Sequence, residues 1–181
     1  MANTKTAIDF VIRQEDSTLS GIITDAPADK GGVTRYGLCA EWHPDLVAKG
    51  FFSASMTADE ALPMAEEAYS AQYDPQLLLG QVTSDAVATA LLSFAVLEGN
   101  FEAISLLQNA VVMLGVPIAV DGEMGPATLA AANSCDPQKL LAAVVQLQKT
   151  HFAQIAIKDP SQEKWVKGWD NRADALLLIT A

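Results

Sequence analysis

The sequence has few cysteines, few histidines and no long apolar run. Its 181 residues include two cysteines, Cys39 and Cys135, and two histidines. Two cysteines do not make a disulfide framework. Cys39 and His43 form one closely spaced pair of potential ligands, whereas structural zinc sites normally have two such pairs. The best candidate for a membrane span, residues 86–97, is too short and is interrupted by hydroxyl side chains. We therefore predict no metal site and no membrane anchor.

Basic residues are also scarce. There are 11 Lys and Arg against 22 Asp and Glu, which gives a net charge of −11 and an isoelectric point near 4.4. Binding to nucleic acid requires Lys and Arg to neutralise phosphates, so this balance excludes a nucleic-acid partner. The first ten residues have no apolar segment of signal-peptide length, and we expect synthesis and retention in the cytoplasm. Half of the residues are apolar, which predicts a folded chain.

The hydrophobic periodicity is helical nearly throughout the chain. Apolar residues with helical spacing, followed by turn residues such as Gly99 and Asp136-Pro137, predict successive helices after residue 57. Residues 16–56 contain many turn formers and two short β-prone pieces, and we interpret them as a loop region or small hairpin. Thr57 and Glu60 form a capping-box pattern for a helix to about Tyr73. The predicted fold class is mainly α with a small β element near the N-terminus.

The first predicted helix ends with an acid on its apolar stripe. Ile8, Val11, Ile12 and Glu15 follow the spacing i, i+3, i+4 and i+7. An ionised carboxylate is costly in an apolar setting, so such a group favours the protonated form that general acid catalysis needs. Glycosidases pair such an acid with a second, ionised carboxylate. The alternative is that Glu15 only ends the helix and points into solvent.

Several spaced motifs occur in the order found in one enzyme family. From about residue 7 to residue 176, the chain resembles the glycoside hydrolase family 108 muramidases, which include endolysin-type and secretion-activating lysozymes. The motifs that carry this resemblance are Glu15, Asp29-x-Gly31-Gly32-x-Thr34-x-x-Gly37, Ser93-Phe94-Ala95-Val96 with Gly99, Leu106-Leu107-Gln108, Gly115-Val116, Asp121-Gly122-x-x-Gly125-Pro126-x-Thr128-Leu129 and Lys167-Gly168-Trp169-x-Asn171-Arg172.

The resemblance implies a lysozyme-like fold and assigns roles to individual residues. Glu15 matches the catalytic glutamate, while Asp29 and Thr34 match a loop pair that would hold the attacking water. The family usually has Glu-Gly-Gly where this chain has Glu15-Asp16-Ser17, and the interval to the aspartate is longer here. Asp25 therefore stays open as an alternative second carboxylate. No metal or organic cofactor is implied, because two carboxyl groups and water suffice for glycoside hydrolysis.

Four residues are predicted to contact the glycan. Gly31, Gly32 and Gly37 would let the backbone approach a sugar chain, with ordinary tight turns as the alternative. Tyr69 would line the glycan cleft, because the family has an aromatic residue at the matching place. Trp42 and Tyr73 are further candidates for stacking on sugars, with core packing as the alternative for all three aromatic residues.

These observations predict a peptidoglycan hydrolase. We expect residues 1–98 to form a catalytic lobe and residues 99–181 a C-terminal helical lobe that binds peptidoglycan. The protein would cleave the β-1,4 bond between N-acetylmuramic acid and N-acetylglucosamine as a monomer, after release from the cytoplasm through a holin or a secretion system. A lytic transglycosylase and a wall-binding protein without catalytic activity are the alternatives. Asp16-Ser17 and the strong negative charge favour the second of these, because many enzymes that act on the anionic wall are basic.

Overall fold

The structure, a computed structural model, describes residues 1–25 and 32–179. These residues contain eight α-helices and three short β-strands. The helices are α1 (Thr4–Glu15), α2 (Pro44–Ala48), α3 (Ala58–Leu77), α4 (Asp85–Glu98), α5 (Asn100–Met113), α6 (Pro126–Ser134), α7 (Pro137–Lys158) and α8 (Glu163–Leu176), and the strands are β1 (Thr24–Asp25), β2 (Val33–Arg35) and β3 (Leu38–Cys39). The strands form one antiparallel sheet in the order β1-β2-β3. The predicted fold class is confirmed.

The chain divides into two compact units. One unit comprises residues 8–72, and the other comprises residues 1–7 and 73–181. These bounds differ from those of the lobes 1–98 and 99–181 that we predicted, since α4 and α5 pack on each other inside one unit. The functional division between those lobes stays a prediction.

The unit of residues 8–72 contains the sheet, most of α1 and most of α3. The capping box at the start of α3 forms as predicted: the Glu60 N–H donates to the Thr57 hydroxyl oxygen at 3.3 Å, and the Thr57 N–H donates to the Glu60 carboxylate at 2.9 Å. The largest fully buried side chains of this unit are Ile12, Phe51 and Tyr69. Polar side chains are scarce in this core, and the exception, Arg35, is described below.

Two expectations for this unit are corrected. Residues 44–48 form the short helix α2 inside the region that we interpreted as loop or hairpin, where Pro44 occupies a first-turn position that tolerates proline. The helix α3 contains Pro63 in its interior and runs on to Leu77, beyond the predicted end near Tyr73. A proline inside a helix removes one backbone hydrogen bond, and the capping box with the remaining turns of this 20-residue helix outweighs that loss.

The other unit is built around α4, α5 and α7. These three helices pack on one another, and α8 packs on α7. Residues 86–95 of α4 are all buried, which explains why this helix is apolar on every side. Ser84 and Asp136 cap α4 and α7 by accepting hydrogen bonds from the Val87 N–H at 3.3 Å and the Lys139 N–H at 2.9 Å. No helix in the described ranges is both long and apolar enough to cross a membrane.

Candidate active site

Three of the predicted site residues in the unit of residues 8–72, Glu15, Gly37 and Tyr69, lie around a tight hairpin turn. Arg35 and Leu38 pair across strands β2 and β3, which leaves Tyr36 and Gly37 as a two-residue turn. Both turn residues have positive φ, 51° at Tyr36 and 78° at Gly37. Positive φ at both central residues defines a type I′ turn, in which a residue other than Gly, Asn or Asp is disfavoured. Tyr36 therefore adopts a strained backbone conformation that its surroundings must stabilise.

Gly37 brings this turn into close contact with the end of α1. A Cβ atom at position 37 would lie 2.5 Å from the Glu15 Cγ and 2.7 Å from the Tyr69 hydroxyl oxygen. Neither distance leaves room for a side chain, so the absence of a Cβ is what permits the approach. The structure thus brings together three of the predicted site residues, Glu15, Gly37 and Tyr69.

Two tyrosine side chains fix the turn in place. The Tyr69 hydroxyl donates to the Tyr36 carbonyl oxygen at 3.0 Å, and the Tyr36 hydroxyl donates to the Leu19 carbonyl oxygen at 3.1 Å. Tyr36 is 2% exposed and Tyr69 is 1% exposed. Burial raises the pKa of Tyr36, so its hydroxyl stays a donor at neutral pH. These contacts hold the strained turn, and through Gly37 they define one wall beside Glu15.

The burial of Tyr69 corrects its predicted role. A ring that is 1% exposed offers no face on which a sugar could stack. Tyr69 therefore supports the hairpin turn from within the core and does not line a glycan cleft. A buried aromatic residue at helical spacing was the alternative that the sequence left open. Trp42 lies three residues after the end of β3 and is 73% exposed, so its ring is available to a ligand.

The side chain of Glu15 is exposed, which differs from the apolar setting that its position on the stripe suggested. Glu15 is the last residue of α1, and the buried stripe ends one turn earlier at Ile12. The side chain is therefore accessible from solvent, while its Cγ lies against the glycine turn. A polar ligand that covers the carboxyl group would remove it from water.

Asp16 explains how the chain turns after Glu15. Its carboxylate accepts hydrogen bonds from the Gly21 N–H at 2.7 Å, the Thr18 hydroxyl at 3.0 Å and the Ser20 hydroxyl at 3.1 Å. Burial alone would raise the pKa of Asp16, but these hydrogen bonds together lower it. Asp16 thus organises residues 16–21 as a compact turn where the resembling family has a pair of glycines.

Thr34 lies on β2, with its hydroxyl donating to the Gly32 carbonyl oxygen at 3.2 Å. Thr34 pairs with Thr24 and with Cys39, so these three side chains share one face of the sheet, whereas Asp25 pairs with Val33 on the other face. Asp25 therefore does not share a sheet face with Thr34.

The structure describes one of the three remaining predicted loop residues, Gly32. Gly32 has a φ of 66° and open space where a Cβ would be, so an ordinary turn accounts for this glycine. Asp29 and Gly31, which we predicted to act in catalysis and glycan binding, lie outside the described residues. The choice between Asp25 and Asp29 stays open.

Sequence reasoning missed Arg35, which supports the hairpin from its buried side. The guanidinium donates to the carbonyl oxygens of Phe51 at 2.8 Å and Met56 at 2.9 Å, and Arg35 is 3% exposed. It also lies 5.9 Å from the centre of the Tyr36 ring. A buried charge is costly unless it is hydrogen-bonded, so these contacts tie residues 51–56 to β2. Nothing in the local sequence around Arg35 signals a partner sixteen residues away.

In the other unit, the loop at Asp121-Gly122, which belongs to another of the resembling motifs, is built around one buried amide. The Gln108 Nε2 donates to the Asp121 carboxylate at 2.7 Å and to the Thr128 hydroxyl at 3.0 Å, and its Oε1 accepts from the N–H groups of Asp121 at 3.0 Å and Gly122 at 2.9 Å. A Cβ at Gly122 would clash with the Phe101 ring. The Gln108 hydrogen bond and a backbone N–H lower the pKa of Asp121. The hydrogen bonds of Gln108 therefore fix this loop, and this structural role accounts for the residues of the motif.

The final motif of the chain is also explained by packing. The Arg172 Nε donates to the Ser93 hydroxyl at 3.0 Å, and the Trp169 ring stacks on Phe152 with centroids 5.1 Å apart. Trp165 is 54% exposed, so it is not the packing anchor that Trp169 is. These contacts hold α8 against α4 and α7.

Comparison with known proteins links the second unit to the bacterial cell wall. Residues 102–174 match a family model described as a predicted peptidoglycan domain. No curated protein matches the chain. The solved structure of SagA from Brucella abortus is similar, with a TM-score of 0.64 and 21% sequence identity over 98% of this chain and 97% of that chain. The likeness to SagA supports the helical fold, and the family match associates the chain with peptidoglycan.

Proposed function

We propose that this protein is an N-acetylmuramidase that hydrolyses the β-1,4 bond between N-acetylmuramic acid and N-acetylglucosamine in peptidoglycan. The observation that carries the proposal is the placement of Glu15, an exposed acid held against the glycine of a strained turn. Strain persists only where the surrounding structure enforces it, and it often marks functional sites. The peptidoglycan match at residues 102–174 supplies the substrate class.

Glu15 would act as the general acid that protonates the leaving glycosidic oxygen. In the free protein the side chain of Glu15 is exposed, so the glycan itself would supply the drier environment. Removing a carboxyl group from water favours its protonated form, and the Gly37 backbone already excludes water from one side of the side chain. Substrate binding would in this way prepare the acid for proton transfer.

The second carboxylate would come from β1 or from the segment between β1 and β2. Asp29 is the first choice and Asp25 the alternative, with the Thr34 hydroxyl helping to position the attacking water. Two carboxyl groups and one water suffice for this reaction, which requires no metal and no organic cofactor. Gly31 and Gly32 would allow the backbone to approach the sugar chain.

The proposal also covers the division of the chain into two lobes and the route by which the protein reaches the wall. Residues 1–98 would carry out the chemistry, and residues 99–181 would hold the glycan strand. A monomer made in the cytoplasm would reach the wall through a holin, as a phage or prophage endolysin does, or with a secretion system. Membership of glycoside hydrolase family 108 is part of this proposal.

The test is mass spectrometry of the fragments released from purified peptidoglycan. The wild type is compared with Glu15→Gln, which keeps the size of the side chain and removes the acid. Glu67→Gln is the matched control, because Glu67 is an exposed glutamate of the same unit, two residues from the buried Tyr69 on α3 and so on the opposite face of that helix. We expect fragments ending in reducing muramic acid from the wild type and from Glu67→Gln, and none from Glu15→Gln.

Other products would identify the alternatives. Anhydro-muramic ends that depend on Glu15 would show a lytic transglycosylase and contradict hydrolysis. A wall-binding protein without catalytic activity is the second candidate, and Asp16-Ser17 favours it because the resembling family usually has a pair of glycines at these positions. Sedimentation of wild type with intact peptidoglycan, without any fragment release, would favour that candidate over the enzyme.

A further inference from the structure

A polar pocket lies within the second unit, between α5 and α7. Its volume is about 220 Å³, which is smaller than the ~300 Å³ at which pockets for drug-sized ligands begin. Its apolar lining residues are Phe94, Leu106 and Leu147, which together we call the apolar floor. The other lining residues are polar: Glu102, Ser105 and Asn109 on α5, and Thr150, His151 and Gln154 on α7. We call this the α5–α7 pocket. It is large enough for one small ring, and it is open to solvent.

The polar groups of the pocket are oriented by their own helices. The Asn109 amide donates to the Ser105 carbonyl oxygen at 2.9 Å, and the Thr150 hydroxyl donates to the Gln146 carbonyl oxygen at 2.9 Å. Each of these bonds uses a donor, so the Asn109 carbonyl oxygen and the lone pairs of the Thr150 hydroxyl remain as acceptors. Gln154 adds an amide that both donates and accepts. A ligand with several N–H and O–H groups fits this set.

The charges at the pocket narrow the choice of ligand. Glu102 is one of its lining residues, and the Glu98 carboxylate lies 3.1 Å from the Nε2 of His151, another lining residue. The two carboxylates disfavour an anionic group. Stem peptides carry such groups, and N-acetylmuramic acid carries one on its lactyl ether wherever no stem peptide is attached. N-acetylglucosamine is uncharged, offers hydroxyl and amide groups, and has an apolar ring face for the floor.

We infer that the α5–α7 pocket binds one uncharged N-acetylhexosamine unit of the glycan strand, an inference that rests on the proposed function for its substrate class. All of the lining residues except Phe94 lie within the segment that matches the peptidoglycan domain. The pocket gives that segment a defined sugar site. It holds the strand through hydrogen bonds to Asn109 and Gln154 and through contact with the apolar floor.

The test is a titration of the ¹⁵N-labelled full chain with the β-1,4-linked trimer of N-acetylglucosamine. We expect saturable shifts of the amide signals of residues 102–109 and 147–154. Asn109→Ala combined with Gln154→Ala should weaken binding at these signals about tenfold, as expected for the loss of two neutral hydrogen bonds. Gln146→Ala is the matched control, because Gln146 is an exposed amide on α7 outside the pocket lining, and it should leave the affinity unchanged.

The dependence of binding on the charge of the sugar is a second measurement in the same titration. Free N-acetylmuramic acid should bind the pocket more weakly than free N-acetylglucosamine, and Glu102→Gln should reduce the difference. The inference would be overturned if the amide signals of the pocket did not respond to the trimer. It would also be overturned if they responded to an isolated stem tetrapeptide and not to the trimer. An unchanged affinity in the Asn109→Ala, Gln154→Ala protein would overturn it as well.

The titration and the cleavage assay together distinguish the sugar site from the proposed muramidase activity. Cleavage of peptidoglycan that depends on Glu15, with no response of the α5–α7 pocket, would leave the muramidase intact and contradict the sugar site. A saturable response of the pocket in a wild type that releases no fragments would confirm the sugar site and contradict the muramidase.

Discussion

Replacement of Gly37 by alanine should damage the candidate site more than the same change at a comparable glycine. Gly37 has a φ of +78°, and a residue with a Cβ in that region costs about 1 kcal/mol. The new Cβ would also lie 2.5 Å from the Glu15 Cγ and 2.7 Å from the Tyr69 hydroxyl oxygen. Relief of such an overlap typically costs a further 1–3 kcal/mol, roughly. The expected loss of unfolding free energy is therefore about 2–4 kcal/mol.

Gly50→Ala is the matched control for this change. Gly50 has a φ of +76° and no atom within 4 Å of its added Cβ, so it incurs the backbone cost alone. Urea denaturation followed by circular dichroism measures both variants. We expect Gly50→Ala to lose about 1 kcal/mol and Gly37→Ala to lose at least twice that. Peptidoglycan cleavage should fall in Gly37→Ala, because Glu15 has to move, and should persist in Gly50→Ala.

A double-mutant cycle identifies the contact responsible. Glu15→Ala removes the Cγ atom that the new Cβ would meet, so Gly37→Ala should cost less in that background than in the wild type. Two results would refute the close approach of the turn to α1. One is an equal loss of unfolding free energy in Gly37→Ala and Gly50→Ala. The other is a loss in Gly37→Ala that stays the same when Glu15 is shortened.

Further predictions concern the supports of both units. Tyr69→Phe should lower the unfolding free energy by about 1–3 kcal/mol, because the buried carbonyl oxygen of Tyr36 loses its donor, and urea denaturation showing no loss would contradict that role. Gln108→Leu should lower the melting temperature and speed hydrogen exchange at the Gly122 amide, whose acceptor is lost; unchanged exchange would contradict the network. The folded-state pKa of Asp121 is lowered, so its contribution to stability is present above about pH 4 and is lost as the pH falls through the folded value. Asp121→Asn should therefore make stability less dependent on pH in the acid range, as thermal unfolding measured between pH 6 and pH 3 can check.

Most of the fold follows from local features of the sequence. The stripe that ends at Ile12, the capping box of Thr57 with Glu60 and the turn at Asp136-Pro137 predict helices that the structure contains. The mainly α class with a small sheet near the N-terminus follows from the same periodicity and turn signals. These features depend on residues within a few positions of one another, which is why sequence alone identifies them.

The candidate site is harder to predict because it depends on contacts that are distant in sequence. The resemblance to a muramidase family singled out Gly37 and Glu15, but the reason for Gly37 is the approach of a side chain from another element. The burial of Tyr69 and the hydrogen bonds of Arg35 to residues 51 and 56 are likewise set by tertiary packing. The apolar stripe of α1 suggested a dry Glu15, but the stripe ends one turn before it.

The most direct test of the central claim is the rate at which new reducing ends appear in purified peptidoglycan. The rate for Glu15→Gln is compared with the rates for the wild type and for Glu67→Gln at equal concentrations of folded protein. Loss of a general acid should slow cleavage by about 100-fold to 10,000-fold, while Glu67→Gln should match the wild type. A Glu15→Gln protein that cleaves as fast as the wild type would contradict the assignment of Glu15 as the catalytic acid.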